Sequence, residues 1–152
     1  MTRKYLWLGI LTIVLSVIVV RDLNAQTDNR LNGIWVGTDG AETRLINGNY
    51  ERSGIDRGTY TTNSGIIVLT PTHIYGDFLF LMHHGINNRR NMFESRWYSL
   101  SESDNEVEGI IGKIGASVFK PISIGYTVNS NILTFTFTYE EGNETVSFIR
   151  KN

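Results

Sequence analysis

The sequence predicts an all-β, mainly antiparallel fold: an up-and-down barrel of about eight strands with one short helix, behind an N-terminal hydrophobic export segment. Three observations carry this expectation. Strand-length segments recur every eight to twelve residues, turn dipeptides punctuate them, and the clearest segments alternate strictly between apolar and polar positions. A meander of this length closes on itself to remove its edges.

The leader MTRKYLWLGILTIVLSVIVVRDLNAQ has basic Arg3 and Lys4, an almost wholly apolar run from Tyr5 to Val20, and polar residues ending in Ala25. The run is longer than a usual signal core and shorter than the roughly 20 residues of a bilayer span. Residues 1–25 are therefore read as a cleaved signal peptide or an uncleaved anchor through residues 5–20, and residues 26–152 as one barrel domain. Cleavage after Ala25 removes Arg3, Lys4, Arg21 and Asp22 from 14 basic and 15 acidic residues. The remaining 11 against 14 give a net charge of about −3, with no overall electrostatic reason to bind nucleic acid or anionic lipid. The chain has no cysteine, which excludes disulfides, cysteine-based metal sites and a lipid-modified cysteine at the N-terminus. The expected location is exported: periplasmic, extracellular or at the cell envelope.

The first strand is expected at 33–37, in LNGIWVGTDG, with Asp39-Gly40 turning the chain. In ETRLINGNYERSG, Asn47-Gly48 fits a type I′ hairpin, which needs positive φ at both central residues. Asn63-Ser64-Gly65 separates a Thr-rich strand at 57–62 from a strand at 66–70, and THIYGD reads as a further strand entry with a bend at Gly76. GDFLFLMHHGINNRRNMFESRWYSLSE is expected to hold two strands around a polar loop. In SDNEVEGIIGKIGASVF the period changes: Val107, Ile110, Ile111, Ile114 and Val118 follow helical spacing, and Ser103 with Glu106 forms a capping box. The last three strands are placed at 124–128, 132–139 and 144–150.

Alternation assigns faces. Leu133, Phe135, Phe137 and Tyr139 share one side of their strand, and Val146, Phe148 and Arg150 share one side of the last. If Val146 and Phe148 look inward, Arg150 does too.

Gly33-Ile34-Trp35, on the first strand after an export segment, is similar to the G-x-W signature that opens lipocalins and related calycin barrels. The ordered series NGIWVG, RLINGNYE, RGTYTTNSGIIVLTPTHIYGD, RWYSL and NILTFTF resembles a bacterial family of small exported lipocalin-like proteins, over most of 31–139. The resemblance implies that an arginine near the last strand, here Arg150, packs across the signature tryptophan, Trp35, at the closed end, with Gly33 leaving room. The alternative is a frayed, solvated chain end. It further implies a cup for a small, mainly hydrophobic ligand. Candidate lining residues are Tyr60, Phe135, Phe137 and Tyr139, with complete filling of the barrel by these aromatics as the competing reading. In lipocalins the helix precedes the final strand, whereas the helical period here precedes the last three.

Enzymatic readings are weaker. His73, His83 and His84 lie near Asp77 in sequence, with Glu94 further along, and such residues bind zinc or move protons elsewhere. Adjacent histidines on one strand point to opposite faces, and no H-E-x-x-H, nucleophile elbow, phosphate loop or calcium loop occurs. No catalytic residue, metal or cofactor is expected. The alternative to a ligand carrier is an envelope interaction module with a filled barrel, gripping a protein partner through GINNRRNMF, with Arg89, Arg90, Met92 and Phe93.

Overall fold

The computed structural model describes residues 26–82, 95–101, 109 and 120–152. After a 3-10 turn at Asn29–Leu31, the strands are β1 (Gly33–Gly37), β2 (Glu42–Ile46), β3 (Asn49–Arg52), β4 (Asp56–Asn63) and β5 (Ile66–Tyr75). Helix α1 (Gly76–Met82) follows, then β6 (Trp97–Ser99), β7 (Ile122–Asn129), β8 (Ile132–Tyr139) and β9 (Gly142–Arg150). All pairings are antiparallel. The order β4-β3-β2-β1-β9-β8-β7-β5, with β4 also paired to β5, closes an eight-stranded barrel. Strand β6 is a short addition, paired to the far half of β5 at residues 73–75, while β7 pairs at 66–69.

Turn chemistry sets the registers. Asn47 and Gly48 both take positive φ, 48° and 80°, as a type I′ turn requires. Ser64 and Gly65 repeat those values, so the β4–β5 hairpin has the same construction. These registers stack Leu45 against Tyr50, Tyr60 against Leu69, and Leu133 between Val128 and Phe148. The enclosed core contains Leu31, Trp35, Tyr60, Ile67, Ile124 and Leu133 among others.

The middle of the chain departs from expectation in two places. Strand β5 does not end at 70 but runs through Pro71 to Tyr75, because the proline sits at a bulge: Pro71 pairs with Gly58 and His73 with Arg57, leaving Thr72 of β5 as the extra residue. Gly58 is required there: a Cβ would lie 2.0 Å from the carbonyl oxygen of Thr70. The segment GDFLFLM, read as strand, is helix α1. It contains no β-branched residue, and Asp77 in the first turn complements the helix dipole. Leu79 is its buried anchor. The helix expected over 103–118 lies outside the described residues, apart from Gly109, which is helical and exposed.

Candidate functional site

The hairpin connections divide the barrel into two ends. At one end lie the β2–β3, β4–β5 and β7–β8 turns together with both the 3-10 turn and the end of β9. At the other lie the β1–β2, β3–β4 and β8–β9 turns.

The first end is closed by Trp35. Its side chain is fully buried, and its Nε1 donates to the carbonyl of Leu31 at 2.8 Å. Arg150, the cross-strand partner of Trp35, lays its guanidinium 4.3 Å from the ring centroid. Its Nη1 donates to the Asn32 carbonyl at 2.5 Å and its Nη2 to the Arg30 carbonyl at 2.6 Å. The cation is thus shared between an indole face, worth about 0.5–2 kcal/mol by desolvation, and two orphan carbonyls of the strap above it. Gly33 admits this arrangement, since a Cβ there would sit 2.7 Å from Arg150 Nη1. The strap itself is tied down. Asp28 N donates to Thr62 Oγ1 at 2.9 Å, and Thr62 Oγ1 to the Gln26 carbonyl at 2.8 Å. The Asp28 carboxylate accepts from Arg30 and from the hydroxyl of Tyr126, at 2.7 and 3.0 Å. The Arg30 guanidinium chiefly, helped by the Arg30 amide and Tyr126, holds the Asp28 pKa down at about 2 against the cost of burial.

The second end is polar inside. Tyr50 and Arg52 alternate inward on β3, and Asp56, opposite Arg52, starts β4. The Asp56 carboxylate is buried. It accepts from Tyr50 Oη at 2.9 Å and from Arg52 Nε at 2.5 Å. Burial, reinforced by the adjacent Asp56 charge, pushes the Tyr50 phenol far above its ordinary range. Burial opposes the Arg52 charge, and Asp56 more than restores it, so the Arg52 pKa is raised. Both Arg52 terminal nitrogens remain without a partner among the described residues. Arg52 lines a cavity of about 250 Å³ bounded by Gly37, Thr43, Ile55, Val146 and Phe148, under the β1–β2 turn. That volume is below the usual lower limit of small-molecule sites, about 300 Å³, and fits only a small ligand. Apolar Val146 and Phe148 form one wall and the guanidinium the other.

The sequence candidates fall in three places. Gly33, Trp35 and Arg150 converge on the closed end. Tyr60 and Phe135 are buried within the core around Trp35, and Phe137 packs against that core from further up β8. Tyr139 is 57% exposed on the β8–β9 hairpin. Tyr50, Arg52 and Asp56 were not anticipated, although one signal was available: a type I′ turn at Asn47-Gly48 places Tyr50 opposite Leu45 and Arg52 opposite Thr43, hence inward.

A wider depression of about 350 Å³ lies on the outer sheet face, between Arg44, Glu51, Arg57 and His73. These are outward side chains on neighbouring strands, and Arg57 there lies 4.9 Å from the Trp97 ring. His73 exchanges a hydrogen bond with Thr72 Oγ1 at 2.9 Å, and Asp77 accepts one from Ser95 at 3.0 Å. Among the described residues no group of three His, Asp or Glu side chains could hold a metal ion. His83, His84, Glu94 and the loop with Arg89, Arg90, Met92 and Phe93 lie outside the described residues. The chain matches no protein-family profile, and neither characterised proteins nor solved structures show significant similarity to it.

Proposed function

We propose that this is an exported lipocalin-like protein that receives a small, mainly apolar molecule at the open end of its barrel. The observation that carries the reading is the cavity between Gly37, Val146, Phe148 and Arg52, opposite the end that Trp35 and Arg150 fill. Its lining suits a ligand whose apolar part lies on Phe148 and whose hydrogen-bond acceptor meets the terminal nitrogens of Arg52. No enzymatic step is assigned to it. Export is proposed from the leader, with Tyr5 to Val20 as its apolar core.

Native mass spectrometry of the protein purified from its own host tests the reading. A co-purified small molecule that is lost in Val146→Trp, which fills the cavity, is the expected outcome. A bare mass, with no retention of an added apolar fluorophore, would overturn it. The filled closed half supports a second reading, an envelope interaction module without a ligand. A specific protein captured by the full chain, together with that bare mass, would decide for it.

A further inference from the structure

The outer surface of the closed end differs from that of the open end in a way the ligand reading does not use. Four isoleucines there, Ile46, Ile66, Ile132 and Ile149, are 47–65% exposed. Ile46, Ile66 and Ile132 each flank a hairpin turn, at the end of β2, the start of β5 and the start of β8. Ile149 is the cross-strand partner of Ile132, and Val36 lies on its other side. The turns between these positions, Asn47-Gly48, Ser64-Gly65 and Ser130-Asn131, carry no charge.

Cations stand beside these isoleucines: the side chains of Arg30 and Lys151 are 68% and 53% exposed, and Arg44 is exposed two residues before Ile46. Arg30 is paired with Asp28 at 2.7 Å, Arg150 lies over Trp35, and Lys151 is paired with Glu42. The opposite turns hold Asp39, Glu140 and Glu141. Among the described residues the other large exposed apolar side chains, Leu81, Ile122 and Tyr139, lie away from the closed end.

The path of the chain gives the rim a direction. Gln26 is fixed by its carbonyl to Thr62, whose amide donates to it at 2.8 Å, two residues before the Ser64-Gly65 turn. Residues 1–25, with the uncharged run Tyr5–Val20, therefore connect to the barrel at the end that carries the isoleucines.

We infer that the closed-end rim is the face by which the protein rests on a lipid bilayer, with Ile46, Ile66, Ile132 and Ile149 in the headgroup–acyl boundary. Apolar side chains partition into that boundary while the exposed Arg30, Arg44 and Lys151 beside them meet anionic headgroups, and an acidic opposite end is repelled by anionic lipid. The open end, and any molecule entering it, then faces water. The inference does not depend on the barrel holding a ligand.

Because the chain has no cysteine, single labels can be placed without background. The full chain is reconstituted in phosphatidylethanolamine–phosphatidylglycerol vesicles with a fluorophore on Ile132→Cys or Ile149→Cys, or at the other end on Asp39→Cys or Glu141→Cys. The rim labels are expected to be quenched by nitroxide lipids and to be several-fold less accessible to iodide than the open-end labels. Replacing Ile46, Ile66 and Ile149 by serine is expected to return the Ile132→Cys label to iodide without altering the circular dichroism spectrum. Equal iodide access at both ends would overturn the inference, as a barrel swinging on its tether behaves that way. Protection from iodide without quenching by nitroxide lipids would also overturn it, assigning the rim to a second copy or to the chain's own leader.

Discussion

At the closed end, Trp35 is sealed by an arginine whose hydrogen bonds go to backbone carbonyls, so the indole N–H and both terminal nitrogens of Arg150 have fixed partners. At the open end, Asp56 is satisfied on both oxygens, yet among the described residues the two terminal nitrogens of Arg52 have no partner beside a cavity. Both ends turn a partly exposed arginine toward the inside of the barrel. One arginine completes a packing unit, and the other leaves donors available. An inward arginine therefore identifies a site only when its hydrogen bonds are counted.

Substitutions should separate the two ends. The largest effect is expected for Trp35→Ala, which empties the centre of the closed end and should cost about 4 kcal/mol in urea unfolding. Gly33→Ala drives a methyl group into Arg150 and should cost about 2 kcal/mol through the lost stacking and hydrogen bonds. In an Arg150→Ala background the same change should cost less, keeping only the backbone strain of an alanine at φ 156°. This double-mutant cycle would break the comparison if the two effects were additive.

At the open end, Tyr50→Phe leaves one buried Asp56 oxygen without its donor and should cost about 1–2 kcal/mol. Thermal unfolding at neutral pH reads it. A loss as large as that of Trp35→Ala would mean that both ends are structural.

The smallest effect concerns the strap. The Asp28 pKa is depressed in the folded chain, so its contribution is complete above the ordinary aspartate value of about 3.9 and fades as pH falls through about 2. The stability difference between wild type and Asp28→Asn should thus be constant near neutrality and shrink across that acid window. A difference that grew on acidification would refute the assignment of Arg30 and Tyr126 as partners of the charged form.

The parts of the fold that are local in sequence were legible in it. Asn47-Gly48 sets a hairpin register by itself, and the alternation of Val146, Phe148 and Arg150 turns the arginine inward without reference to any other strand. The middle was not legible. Pro71 argues against a continuous strand unless the bulge it forms opposite Gly58 is known, and Gly58 is thirteen residues away. In GDFLFLM the apolar residues give no period that separates helix from strand. The candidate site was half legible: aromatics on β8 could be assigned a face, but which of them pack solidly and which border a cavity depends on closure of the barrel. The cavity at Arg52 is formed by three segments far apart in the chain, so no spacing rule reports it.

The central claim is that the closed end is structure and the open end is the site. Titration of an apolar fluorophore into ¹⁵N-labelled protein, followed by amide shifts, tests it most directly. The shifts are expected at Gly37, Thr43, Arg52, Val146 and Phe148, with Trp35, Leu45 and Leu133 unmoved. Saturable shifts centred on Trp35 and Leu133, with those around Arg52 unchanged, would contradict it.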